Sequence, residues 1–222
     1  MQDDTTRQRI TTNIGPNATM FLLPAPVTCF ARSLYSQAQT FNLVESSNLL
    51  LIDSFTSGRM GMEGGLGPIA GGGLGMARKG EEWKFDRYKS SNTITVDGRI
   101  VLNDVLLLED EREDDDRRGN GPTSYHARVA PYSVYSTVII YGPNFIPLRA
   151  SIAAEYAQVV QNQQSMPYNF LWSYSEFDGG KGGIMKCAGE TTEITKDWTM
   201  EILQRGGVES LLGSDRWKGV CT

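Results

Sequence analysis

Apolar residues fall at every second position through most of this chain, and that spacing restricts it to a strand-built fold. Side chains of a strand point alternately to opposite faces, so a period of two buries one face and wets the other. The segments "ATMFLLP" (Ala18 to Pro24), "AQTFNLV" (Ala38 to Val44) and "NLLLIDSF" (Asn48 to Phe55) carry the pattern. Prolines 24 and 26 cannot donate to a ladder, so the first of these segments belongs at an edge or crossover. "TITVDGRIVL" predicts a hairpin on a type I′ turn at Asp97-Gly98, with Ile94 facing Val101. "YSVYSTVIIYG" (Tyr132 to Gly142) is apolar on both faces near its end, which suits a central strand. "YNFLWSYSEF" and "GGIMKCAG" form a further pair, joined by "DGGKGG".

Helical spacing comes late. Pro147 can open a helix in which Leu148, Ile152, Tyr156 and Val159 share one face. "ITKDWTMEILQRGG" predicts a second, starting near Thr195 and closed by Gly206. A chain of 222 residues can bury a large core without disulfides. Cys29, Cys187 and Cys221 form no CxxC pair or zinc spacing, which favours a reducing compartment. The polar start "MQDDTTRQRI" has no signal-peptide core, and no run of apolar residues is long enough to span a membrane. A net charge of −5 argues against a nucleic-acid backbone as partner. Cytoplasmic placement, with neither membrane nor nucleic acid as partner, is the expectation.

Two stretches interrupt the pattern. Between Gly58 and Gly80, 10 of 23 residues are glycine. Gly65, Gly67 and Ala70 fit GxGxxA, but no helix pattern follows, as a dinucleotide loop requires. A Walker loop also fails, because Lys79 precedes Gly80 and no hydroxyl residue follows. A nucleotide-binding enzyme is therefore disfavoured, and residues 60–77 are expected to be a flexible insertion. Such an insertion costs little: doubling a loop adds only roughly 0.6 kcal/mol of closure entropy. The second stretch, 109–124, packs seven acids and three arginines into its first ten residues and is expected to be a solvated insertion.

With residues 60–77 set aside, "DSFTSGR" runs into "ARKGEEWKFDRY". An Asp followed by Gly58-Arg59, then Gly80-Glu81-x-Trp83-x-Phe85, resembles the UreD (UreH) family of urease accessory proteins. "LPAPVTCFARSLYSQAQTF", "DGRIVLNDVLLLE", "YSVYSTVIIYGP" and "IMKCAGETTEITKDW" are similar to further family segments in the same order. There are departures. The family's PDP reads Pro24-Ala25-Pro26 here, and its glycine-rich upstream segment does not precede Met1. The chain thus looks like the C-terminal half to two-thirds of such a protein, a single UreD-like unit over 1–222. Strands that would pair with an upstream part are then expected to have open edges.

The resemblance implies a mainly β fold of helically stacked, layered sheets with two C-terminal helices. It implies a non-enzymatic scaffold that helps insert Ni²⁺ into apo-urease together with UreF-like and UreG-like proteins, with nickel as transient cargo. The alternative is a non-functional fragment or a general β-rich interaction domain. Glu81 is the leading candidate for a carboxylate on the metal path. If Trp83 and Phe85 face the core of a strand, Glu81 shares their side, and its alternative role is an ion pair with Arg59 or Arg87. Asp53 is the second candidate, with turn capping as its alternative. Gly58, Arg59, Gly80, Trp83 and Phe85 are motif or packing positions. Cys29 is a weaker metal candidate, Cys187 reads as a core thiol and Asp104 as a turn acid. His126 is the single histidine and reads as a surface residue. A Ser-His-Asp or Cys-His site would have to rely on it, so hydrolase chemistry is not expected.

Overall fold

The computed structural model describes residues 5–59, 82–109, 129–162 and 168–221. Among them, ten strands form two sheets. The first sheet holds β1 (Thr6–Ile14), β4 (Leu34–Leu43), β6 (Arg87–Val96) and β7 (Arg99–Glu109) in that order. The second has the order β2 (Thr19–Leu22), β5 (Asn48–Thr56), β8 (Val134–Tyr141), β10 (Gly182–Gly189) and β9 (Phe170–Phe177), and β3 (Val27–Thr28) also pairs with β5.

From β1 to β6 the chain crosses from one sheet to the other and returns one strand further along. β1, β4 and β6 are therefore parallel to one another, as are β2 and β5. This is the helical stacking of sheets expected above. β7 then turns back on β6, and β5, β8, β10 and β9 continue antiparallel. Stacking in register puts like residues above one another. Asn42 donates to Asn13 at 2.8 Å and accepts from Thr95 at 2.8 Å, a short polar ladder on the outer face. β1 lies outermost in the first sheet, and its polar sequence carries no strand signal. It is held by in-register pairing from Thr6↔Tyr35 to Ile14↔Leu43.

Asp97 and Gly98 both have positive φ, as the type I′ turn requires. The expected Ile94–Val101 pairing is corrected. A bulge inserts Val101, so Ile94 pairs with Leu102 while Thr95 still pairs with Ile100. A second correction concerns "EEWKFDRY". Trp83 has φ of 57° in a turn, and the strand begins only at Arg87. The alternation that would tie Glu81 to the side of Trp83 and Phe85 therefore does not apply.

Four described α-helices cover one face of the second sheet: α1 (Ile146–Asn162), α2 (Thr192–Arg205) and the short α3 (Val208–Leu212) and α4 (Ser214–Cys221). Leu148 and Ile152 of α1 are buried with Tyr156 and Val159 beside them, as the spacing predicts. α2 starts three residues earlier than expected, because the Thr191 hydroxyl caps it by accepting from Ile194 N at 3.2 Å. The helical layer packs on Leu50, Ile52, Val138, Ile140, Trp172 and Met185. The opposite face of β5 and β8 meets the first sheet. Among the described residues, no helix is long and apolar enough to cross a membrane.

Candidate functional site: a polar layer between the sheets

The space between the two sheets is apolar at both ends and polar in the middle. At one end, Phe41, Leu43, Leu49, Leu51, Ile94 and Ile139 form a dry cluster. At the other, Phe55, Trp83, Phe85, Tyr88 and Cys29 form a largely aromatic one. Phe55 stacks on Tyr88 at 4.3 Å and on Tyr135 at 5.3 Å between ring centroids. Between these clusters the inward positions of β4 are Gln37 and Gln39, those of β6 are Ser90 and Asn92, and that of β5 is Asp53. Gln37 lies beside Ser90 and Gln39 beside Asn92, so two polar rows run across the first sheet. All four of these side chains are buried.

Asp53 closes the layer from the second sheet. Its Oδ1 accepts from Gln37 Nε2 at 3.1 Å. Its Oδ2 accepts from Ser90 Oγ at 2.6 Å and Asn92 Nδ2 at 2.7 Å. Gln37 Oε1 in turn accepts from Tyr35 Oη at 3.0 Å. No lysine or arginine among the described residues lies within ion-pair distance of Asp53. Among the described residues, the carboxylate is therefore solvated by neutral dipoles and paired with no cation. Its negative field acts on neighbours. Burial, and then the nearby Asp53 charge, raises the phenol pKa of Tyr35 and of Tyr88. Asn92 is 1% exposed and its Oδ1 has no donor among the described residues, so one buried acceptor in the layer is open there.

One cross-strand row leads from the layer to an exposed ion pair. Asp53 lies opposite Thr137 on β8, and Thr137 lies opposite Lys186 on β10. Lys186 Nζ donates to Asp104 Oδ1 at 2.6 Å, and Asp104 pairs with Asn92 across β6 and β7. Asp104 thus bridges the two sheets from within β7 and does not cap a turn.

The other sequence candidates fall as follows. Glu81, Gly80 and His126 lie outside the described residues, as do 60–81 and 110–128. Ser57 O accepts from Trp83 N at 2.7 Å, so the described chain on either side of 60–81 meets at one point. Gly58 is buried there, and the Arg59 guanidinium sits 4.9 Å from the Phe30 ring centroid. Trp83 and Phe85 are core residues of the aromatic cluster. Cys29 is sealed in that cluster, and burial pushes its thiol up to about 12, so it holds no thiolate at neutral pH. Cys187 is likewise a core thiol, raised to about 11 by burial, 3.9 Å from Thr199 Oγ1. Among the described residues no group of three or more His, Cys, Asp or Glu side chains converges to hold a metal.

Gln37, Gln39, Ser90 and Asn92 escape the sequence reading, although a signal is present. In "LYSQAQTFNL" the glutamines share parity with Phe41 and Leu43. In "RYKSSNTITV" Ser90 and Asn92 share parity with Tyr88 and Ile94. Polar residues at core-facing positions of two adjacent strands mark either an error of reading or a built polar feature.

The family follows from comparison with known proteins. The sequence model described as UreD urease accessory protein matches residues 1–66 and 73–216. The chain belongs to this family. It is 30% identical over 215 residues to urease accessory protein 4 of Cryptococcus neoformans var. grubii, covering 96% of this chain and 62% of that protein. It is 29% identical over 168 residues to urease accessory protein D of Oryza sativa subsp. indica, covering 76% and 46% respectively. With urease accessory protein D of Arabidopsis thaliana it shares 26% identity over 226 residues, covering 93% and 67%. The chain spans roughly half to two-thirds of the length of these curated relatives, at 62%, 46% and 67%. The break in the match at 67–72 falls inside the glycine-rich stretch that the motif reading sets aside.

Proposed function

We propose that this UreD-family chain is a non-catalytic urease accessory protein. It serves as a scaffold that assists Ni²⁺ insertion into apo-urease, in a complex with UreF-like and UreG-like proteins. The observation that carries the reading is the carboxylate of Asp53, paired with no cation among the described residues, inside a layer of neutral oxygen and amide groups. An ion in transit must be attracted and then released. Nickel is retained by imidazole and thiolate, whereas carboxylate, amide oxygen and water hold it loosely. Asp53, Gln39 and the open Oδ1 of Asn92 offer the second kind of site, and the buried thiols of Cys29 and Cys187 do not compete for the ion. Glu81 remains a proposed member of the same path on the strength of the family motif.

The test is genetic and analytical. The gene is deleted in its own organism, and urease activity and the nickel content of purified urease are measured. Both are expected to fall, to be restored by the wild-type gene, and to be restored less by Asp53→Asn. The wild-type protein is expected to co-purify with urease and its other accessory proteins. Unchanged nickel loading after deletion would remove the proposal and leave an interaction domain or an inactive fragment.

A further inference from the structure

A second buried charge lies outside the polar layer, at the start of α1. Arg149 is in the first turn of α1 and is 6% exposed. Its Nη1 donates to Gly142 O at 2.8 Å, and no carboxylate among the described residues comes within ion-pair distance. A guanidinium has five N–H donors, and one carbonyl satisfies only one of them. The position is unfavourable for a cation on two counts. Burial strips its hydration, which lowers its pKa. The N-terminal end of a helix is also the positive end of its dipole, and this first turn contains no acid.

Arg149 forms part of the wall of a cleft of about 700 Å³, together with Tyr141, Gly142, Pro143, Ile146 and Lys181. Lys181 and Glu45 also line it and form an ion pair with each other, and Lys181 O accepts from Gly142 N at 3.2 Å. Asp97 also lines the cleft. Glu176 acts on Arg149 only through space, from beyond ion-pair distance. Glu45 is neutralised by Lys181, so Arg149 is the cation of the cleft without an acid of its own. An oxyanion that can offer two oxygens side by side, a carboxylate or a phosphate, is the chemistry that matches a guanidinium fork.

We propose that this cleft binds an oxyanion, the carboxylate or phosphate group of a small molecule, with Arg149 as its principal contact and Lys181 as a weaker second one. The site is independent of the metal path. Its test uses the full chain with inorganic phosphate and, separately, acetate at fixed ionic strength. Binding is read by calorimetry and by the ligand dependence of Tm, which follows ln(1 + [L]/Kd). Saturable binding of at least one anion is expected, and the tighter of the two identifies the group recognised. Arg149→Met is expected to weaken it roughly tenfold or more, since a bond to a charged group is lost. Lys181→Gln, at an exposed position, should weaken it less and keep the fold, so it decides the matter if Arg149→Met does not fold. A Tm response to phosphate and acetate no greater than to chloride overturns the proposal. So does wild-type affinity in Arg149→Met, or in Lys181→Gln should that be the only folded variant.

Discussion

Asp53→Asn tests the polar layer most sharply, because it changes one atom and leaves shape intact. The carboxylate accepts three hydrogen bonds, from Gln37, Ser90 and Asn92. An amide can accept only through its oxygen. If that oxygen faces Ser90 and Asn92, the new NH₂ meets Gln37 Nε2, donor against donor. Gln37 cannot simply flip, since its Oε1 already accepts from Tyr35 Oη. One orphaned donor costs about 1–3 kcal/mol, and two bonds that were charge-assisted become neutral at a loss of about 1 kcal/mol each. Relief of the desolvated charge offsets part of this, leaving a net loss of about 2–4 kcal/mol. For a chain of this size that is a Tm drop of about 4–16 °C. Urea denaturation and thermal melts measure it directly. A double-mutant cycle with Gln37→Leu isolates the cause. In the Asp53→Asn background the leucine removes the opposed donor, so the two changes should couple by about 1 kcal/mol or more. A Tm within about 1 °C of wild type, or strict additivity in the cycle, would show that Asp53 is not the hub of the layer.

Two further outcomes follow from the geometry. Gly142 has φ of +103°, and a Cβ there would collide with Ser47 O and lie 2.8 Å from Asn48 Cα, both backbone atoms. Gly142→Ala is therefore expected to destabilise by about 4 kcal/mol or more, seen as a lower urea midpoint or loss of soluble protein. The hydrogen bond from Arg99, at 2.5 Å, holds the Asp178 carboxyl below its ordinary 3.8, with Tyr141 Oη adding a second bond at 3.0 Å. A depressed carboxyl contributes stability that is fully present above its unfolded pKa and is lost as pH falls through the folded one. Asp178→Asn should thus lower Tm near neutral pH and narrow its gap to wild type on the acid side of 3.8. A gap that stays constant over that range would refute the linkage.

The strands were legible because burial on one face imposes period two, and the hairpin because Asp97-Gly98 tolerates positive φ at both positions. The late helices were legible for the same kind of reason, from Leu148, Ile152 and their neighbours at helical spacing. The family was readable from local motifs, among them Trp83 and Phe85, which pack in the aromatic cluster. Other features depended on assembly. β1 carries no apolar alternation and exists as a strand because β4 offers it a parallel edge in register. The bulge at Val101 shifts Leu102 into the pairing that a regular hairpin would give its neighbour. Trp83 turns where its sequence alternates like a strand, since its amide is drawn to Ser57 O. Asp53 belongs to one sheet and its donors to the other, from positions 16 to 39 residues away along the chain. Periodicity tells which face of a strand is buried. Which polar groups then meet across that face depends on how two sheets are laid on each other, and only the tertiary structure fixes that.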